Sequence, residues 1–102
     1  MKIDFTQKLL SLDGLPMNGA PLGVEGDTTL SHVAVAALMM TFPDEQHLAG
    51  TAKFERYQLA RRVHDVKEPV DLKVEEVALL KDLIGRAFSP SVIGPAYSLL
   101  DG

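Results

Sequence analysis

Ile3, Phe5 and Leu9 fall on alternate positions with Asp4, Thr6 and Lys8 between them, the period of a strand buried on one face. Leu10 and Leu12 shift the phase, and Asp13-Gly14 then supplies a dipeptide strongly favoured in tight hairpin turns. A short second strand over residues 15–17 follows, with Pro16 suited to an edge because it lacks a ladder donor. Residues 1–17 therefore predict a small β-hairpin. Residues 18–28 hold three glycines and a proline in eleven positions and read as a loop, after which Thr28 or Thr29 stands where a helix N-cap is wanted.

The next apolar segment predicts a helix over residues 30–42, ended by Pro43. Val35, Leu38, Met39 and Phe42 share one sector of its wheel while Val33 and Met40 lie opposite, and only Ser31, His32 and Thr41 are polar. A helix that is apolar all round belongs in the middle of a domain or in an oligomer contact. A second helix is predicted over residues 51–66 with Thr51 as N-cap. Ala52, Leu59, Ala60, Val63 and Val66 form its buried arc, and Glu55, Gln58, Arg61, Arg62 and Asp65 its solvent arc. Phe54 and Tyr57 lie off the main apolar arc, so they wrap an edge of the core or meet a partner. Arg56 sits between Ala60 and Val63 on the wheel and has to pair or extend its head to water.

A third helix over residues 74–88 has the cleanest stripe, Val77, Leu80, Leu83, Ile84, Ala87 and Phe88. Glu75 and Glu76 occupy its first turn and Arg86 its last, as the helix dipole favours. Lys73 stands where a serine or threonine would complete a capping box with Glu76. Ser89-Pro90 reads as a cap followed by proline at the first helical position. Gly94-Pro95 interrupts the stripe beyond it, which predicts a turn and then a short terminal helix.

Composition narrows the function. At 102 residues the chain has room for one domain, and 46% hydrophobic with 24% charged residues is the balance of a soluble globular protein. With no cysteine, disulfides, thiolate zinc sites and cysteine nucleophiles are excluded. The first residues lack the pattern of a secretory signal, and the longest apolar run, Val33 to Met40, is far short of the roughly 18 residues of a membrane span. No membrane association and a cytoplasmic location are expected. The whole formal charge of −4 lies in residues 1–50, where two lysines face six carboxylates, while the second half balances.

Candidate chemistry is sparse. Asp44, Glu45 and His47 invite a divalent-ion site, but closely spaced acid and imidazole in a polar loop are common, and no second histidine is spaced to help. His32 reads as a partly buried, hydrogen-bonded histidine, and His64, flanked on the wheel by Lys53 and Tyr57, as a surface residue. Adjacent Glu75 and Glu76 diverge by about 100° on a helix and cannot converge on one atom. The glycines of residues 14–26 lack the spacing and basic residue of a phosphate loop. Between Lys53 and Lys67 five basic residues face two acidic ones, which makes nucleic acid the rival partner through Arg61 and Arg62. Those charges form no single stripe, however, and an Arg61–Asp65 pair four apart suits a solvated face.

Four segments taken together, IDFTQKLLSLDGLPM, VAVAALMMTFPDE, KFERYQLARRVH and VDLKVEEVALLKDLIGRAFSPSVIGPAYSLLDG, resemble a group of small proteins of about this length encoded by bacteriophages and prophages. The likeness spans nearly the whole chain. That group usually carries serine or threonine at the position of Lys73 and glutamine at that of Pro95. The resemblance implies a phage origin and an accessory role, with virion assembly beside tail proteins as the analogy, and it transfers no site residue.

The expected architecture is α+β and mainly helical: one domain in which an N-terminal β-hairpin (1–17) and a loop (18–28) pack on three to four helices (29–102). The expected function is non-enzymatic, without metal or cofactor, through protein-protein interaction with another phage protein or a second copy. Met39, Met40, Phe54 and Tyr57 are the expected surface. A small regulator that binds nucleic acid through Arg61 and Arg62 is the alternative.

Overall fold

The computed structural model describes residues 1–19, 22–23 and 26–101; Ala20, Pro21, Val24 and Glu25 of the expected loop and the terminal Gly102 lie outside the described residues. In chain order the elements are β1 (Lys2–Ile3), α1 (Leu30–Leu38), a 3-10 turn (Pro43–Glu45), α2 (Gly50–Val63), β2 (Val70–Asp71), α3 (Val74–Ala87) and α4 (Pro90–Leu100). The mainly helical α+β class is thus observed.

Ile3, Phe5 and Leu9 are all buried, as their alternation requires. The backbone that carries them is not one strand. Asp4 accepts hydrogen bonds from the Thr6 amide (2.9 Å) and hydroxyl (2.6 Å), a local turn that divides the segment. Upstream of it β1 pairs antiparallel with β2, Ile3 opposite Val70. Downstream, the hairpin closes on itself through Met17 N to Leu9 O (2.9 Å) and Ser11 N to Leu15 O (2.8 Å), with a bridge between Leu10 and Pro16. Gly14 turns its tip at φ +80°, a region open to glycine at little cost.

The same N-terminal segment satisfies the amide donors that a helix start leaves free. Leu30 N donates to Gln7 O (2.9 Å) and Ser31 N to Phe5 O (3.0 Å). Thr29 is the N-cap: its hydroxyl accepts from His32 N (3.4 Å), while His32 Nδ1 accepts from Thr29 N (3.1 Å). All four amides of the first turn are then paired, since Val33 N reaches Thr29 O. With His32 Nδ1 accepting, a neutral ring carries its proton on Nε2.

α1 is the central helix, packed against α2, α3 and α4. It ends at Leu38 and not at Phe42. Phe42 is held in extended backbone before Pro43, where its buried ring lies under the Arg86 guanidinium, 4.9 Å from the ring centre. α2 is likewise shorter than its apolar stripe and offset from it. It starts at Gly50 with Ala49 as N-cap, so Thr51 is inside the helix and caps nothing. It stops at Val63, where Ser31 Oγ on α1 donates to the Val63 carbonyl (2.7 Å) and Asp65 takes φ +50°.

α3 matches its predicted span to within one residue and buries Val77, Leu80, Leu83 and Ile84. Lys73 provides no side-chain cap, but Glu76 still accepts from the Lys73 amide (2.9 Å). α4 runs without a break through Pro95, contrary to the expected turn. The proline deletes only the bond to the carbonyl of Ser91, an exposed residue, and burial of Ala96 and Leu100 holds the remainder in place. Among the described residues no helix is long and apolar enough to cross a membrane.

Candidate interaction surface

Met39 and Met40 follow the last turn of α1, and Phe54 and Tyr57 lie three apart on α2, a spacing that puts both rings on one side of that helix. All four side chains are exposed: 57% for Met39, 44% for Met40, 57% for Phe54 and 45% for Tyr57. Packing of α1 on α2 brings them together. Met39, Met40 and Tyr57 line one cleft of about 130 Å³ with Leu48 and Lys53, and Phe54 stacks on Tyr57 with ring centres 6.4 Å apart and planes inclined by 23°. The early end of α1 helps to make this face, because neither methionine is followed by another helical turn that would cover it.

Arg56 also lines this cleft and is held by an ion pair. Arg56 donates to both oxygens of Glu45 (2.9 and 2.5 Å), the two side chains being only 11% and 9% exposed. Glu45 also accepts from Phe42 N (3.3 Å) and Arg86 (3.4 Å), and Arg86 binds Asp44 as well. Hydrogen bonds from Arg56 draw the Glu45 carboxyl from 4.5 down to about 2, with burial opposing the shift and the Phe42 amide and the Arg56 and Arg86 charges adding to it. The sequence requirement that Arg56 find a partner is therefore met by a bidentate pair. Asp44 and His47 are exposed, as a solvated loop requires, although Asp44 pairs with Arg86 of α3; Glu45 alone is withdrawn from solvent, against Arg56 of α2 and Arg86. Among the described residues no three His, Asp or Glu side chains are grouped to hold a metal.

Arg61 and Arg62 are both exposed, as expected of a solvated face, but their pairing differs from the expected one. Arg62 donates to Glu76 (2.5 Å) and to the Asp71 carbonyl (2.8 Å), fastening α2 to the start of α3. Arg61 shares a cleft with Glu55, Glu75 and Glu76, so carboxylates surround the basic pair. The Arg61–Asp65 pair does not form, because the helix that would align them ends at Val63.

His32 and His64 line one cleft of about 460 Å³ with Asp65 and the apolar side chains of Phe5, Val35 and Val66. This convergence was invisible on a helical wheel, because His64 leaves the helix at its C-cap. Gly85 is a second residue without a periodic signal. A Cβ there would lie 2.6 Å from the Tyr97 hydroxyl, which crosses α3 to donate to the Lys81 carbonyl (2.5 Å). No protein-family model, curated protein or solved structure matches this chain.

Proposed function

We propose that this chain is a non-enzymatic accessory protein of a phage or prophage, acting in the host cytoplasm by protein-protein interaction during virion assembly, beside tail proteins. The observation that carries the interaction reading is the contiguity of Met39, Met40, Phe54 and Tyr57, which lie apart in sequence and form one exposed apolar face. Methionine and aromatic side chains are enriched at interfaces, the first because it adapts its shape and the second because it covers much area with few rotors. Arg56, which lines the cleft beside them, is already held by Glu45, so binding there need not order its side chain. The phage assignment rests on the resemblance of the four sequence segments.

The nucleic-acid alternative draws no support from Arg62, which pairs with Glu76 and the Asp71 carbonyl, or from Arg61 among carboxylates. The test is the yield of assembled particles after induction of a prophage that carries the gene with Met40→Ser and Phe54→Ser. Both side chains are exposed, so the variant folds; a large fall in particle yield at unchanged protein level is expected. An unchanged yield overturns the assembly reading.

A further inference from the structure

Resting on that interaction reading, we infer that the face takes the hairpin tip of a second copy of this chain, so that copies join head to tail. The hairpin ends in a knob. Leu12 is fully exposed, at 108% of its reference area, and Leu10 and Leu15 beside it are exposed as well. Hydrogen bonds from Ser11 N to Leu15 O, Gly14 N to Ser11 O and Met17 N to Leu9 O hold the tip in shape, so docking it orders little chain. Three apolar side chains on a stiff, protruding turn have no counterpart within the molecule.

The face has the matching form and charge. Its cleft of about 130 Å³ lies below the roughly 300–1,000 Å³ of small-molecule sites and suits an inserted side chain, with two methionines to adjust around it. Asp13 stands between Leu12 and Leu15 on the knob, and Lys53 lines the cleft. Neither side chain has an ion pair among the described residues, so a leucine seated in the cleft brings two free charges of opposite sign together.

Within one copy the knob does not fill the cleft, since Leu12 is fully exposed and no hairpin residue lines the cleft. The hairpin is anchored at the N-terminal end of α1, where Lys8 bridges to Thr29, whereas Met39 caps the C-terminal end of this nine-residue helix. At about 1.5 Å per residue these ends are roughly 13 Å apart, and knob and cleft belong to opposite ends of the helix. Joined head to tail, with the knob of one copy in the cleft of the next and no reciprocal insertion, the contact is heterologous and propagates into a ring or an open array.

The contact is small, so the assay is sedimentation velocity on the full chain up to millimolar concentration. The wild type is expected to grow in mass beyond a dimer as concentration rises. Leu12→Ser with Leu15→Ser, and separately Met39→Ser with Tyr57→Ser, should each weaken association at least tenfold while circular dichroism shows the native fold. Mixing these two variants should give a one-to-one pair and nothing larger, since one retains the cleft and the other the knob. Asp13→Lys and Lys53→Asp should each weaken association, and both together in one chain should restore it. A monomeric wild type, or association unaffected by the Leu12 and Leu15 changes, overturns the inference. Association that is lost with the Met39 and Tyr57 changes but keeps its strength without the leucines rejects the knob alone and leaves the interaction face standing.

Discussion

Replacing Ser31 by alanine deletes one oxygen atom from α1 and leaves the Val63 carbonyl, the last of α2, without a partner. Ser31 is buried, its hydroxyl donates over 2.7 Å, and no backbone amide of the described residues reaches the same carbonyl. A buried acceptor left unsatisfied costs about 1–3 kcal/mol, whereas alanine returns at most about 0.7 kcal/mol of helix propensity. The net loss is then roughly 0.3–2.3 kcal/mol. In a domain of this size each kcal/mol moves Tm by about 4–8 °C, so Tm should fall by roughly 1–18 °C. Urea denaturation followed by circular dichroism should show a lower midpoint at unchanged slope. Ser98→Ala is the control, because it removes the same atom from an exposed bond to the Gly94 carbonyl and should stay within about 0.5 kcal/mol of wild type. Equal effects of the two substitutions, or a Ser31→Ala protein as stable as wild type, would refute the reasoning.

Glu45 makes the fold acid-sensitive in a defined window. Its carboxyl titrates lower in the folded chain than in the unfolded one, so its stabilisation is fully present above about 4.5 and disappears as pH falls towards about 2. A pH series of melting curves should show Glu45→Gln losing less of its stability across that window than wild type does. Gly85→Ala should be close to neutral in wild type, where a helix gain of about 1 kcal/mol is set against a displaced Tyr97 hydroxyl, and clearly stabilising once Tyr97→Phe has removed that hydroxyl; additive effects in a double-mutant cycle would contradict the contact. Gel shifts with duplex DNA at about 50 mM salt should show no retardation by wild type, and Arg61→Ala should change nothing; a salt-sensitive shift lost with Arg61→Ala would establish the rival partner.

How far the sequence foretold the fold depended on whether a segment's fate was decided locally. α3 carries its own stripe and its own acidic and basic ends, and its span was readable to within one residue. Thr29 was legible as one of two caps, and Arg56 as a residue that needed a partner. The pairing of Ile3 with Val70 was not legible, because a two-residue strand whose partner lies across most of the chain leaves no local pattern. Met39 to Phe42 continue the apolar run of α1, yet burial of Phe42 beneath Arg86 requires the helix to end first. Ser31 is one of three polar residues in the otherwise apolar predicted helix, and its partner, the Val63 carbonyl, is set by where α2 ends. The candidate face divides the same way. That Phe54 and Tyr57 fall outside the main apolar arc was evident from the wheel, but their meeting with the two methionines depends on how α1 packs on α2.

The central claim is that Met39, Met40, Phe54 and Tyr57 form the surface at which this chain meets protein. Site-specific photo-crosslinking in phage-producing cells tests it most directly, with benzoyl-phenylalanine placed at Tyr57 and, as a control on the neighbouring flank of α2, at Gln58. A discrete protein adduct at Tyr57 that is absent at Gln58 is the predicted result. No adduct at Tyr57, or equal labelling at both positions, would contradict it.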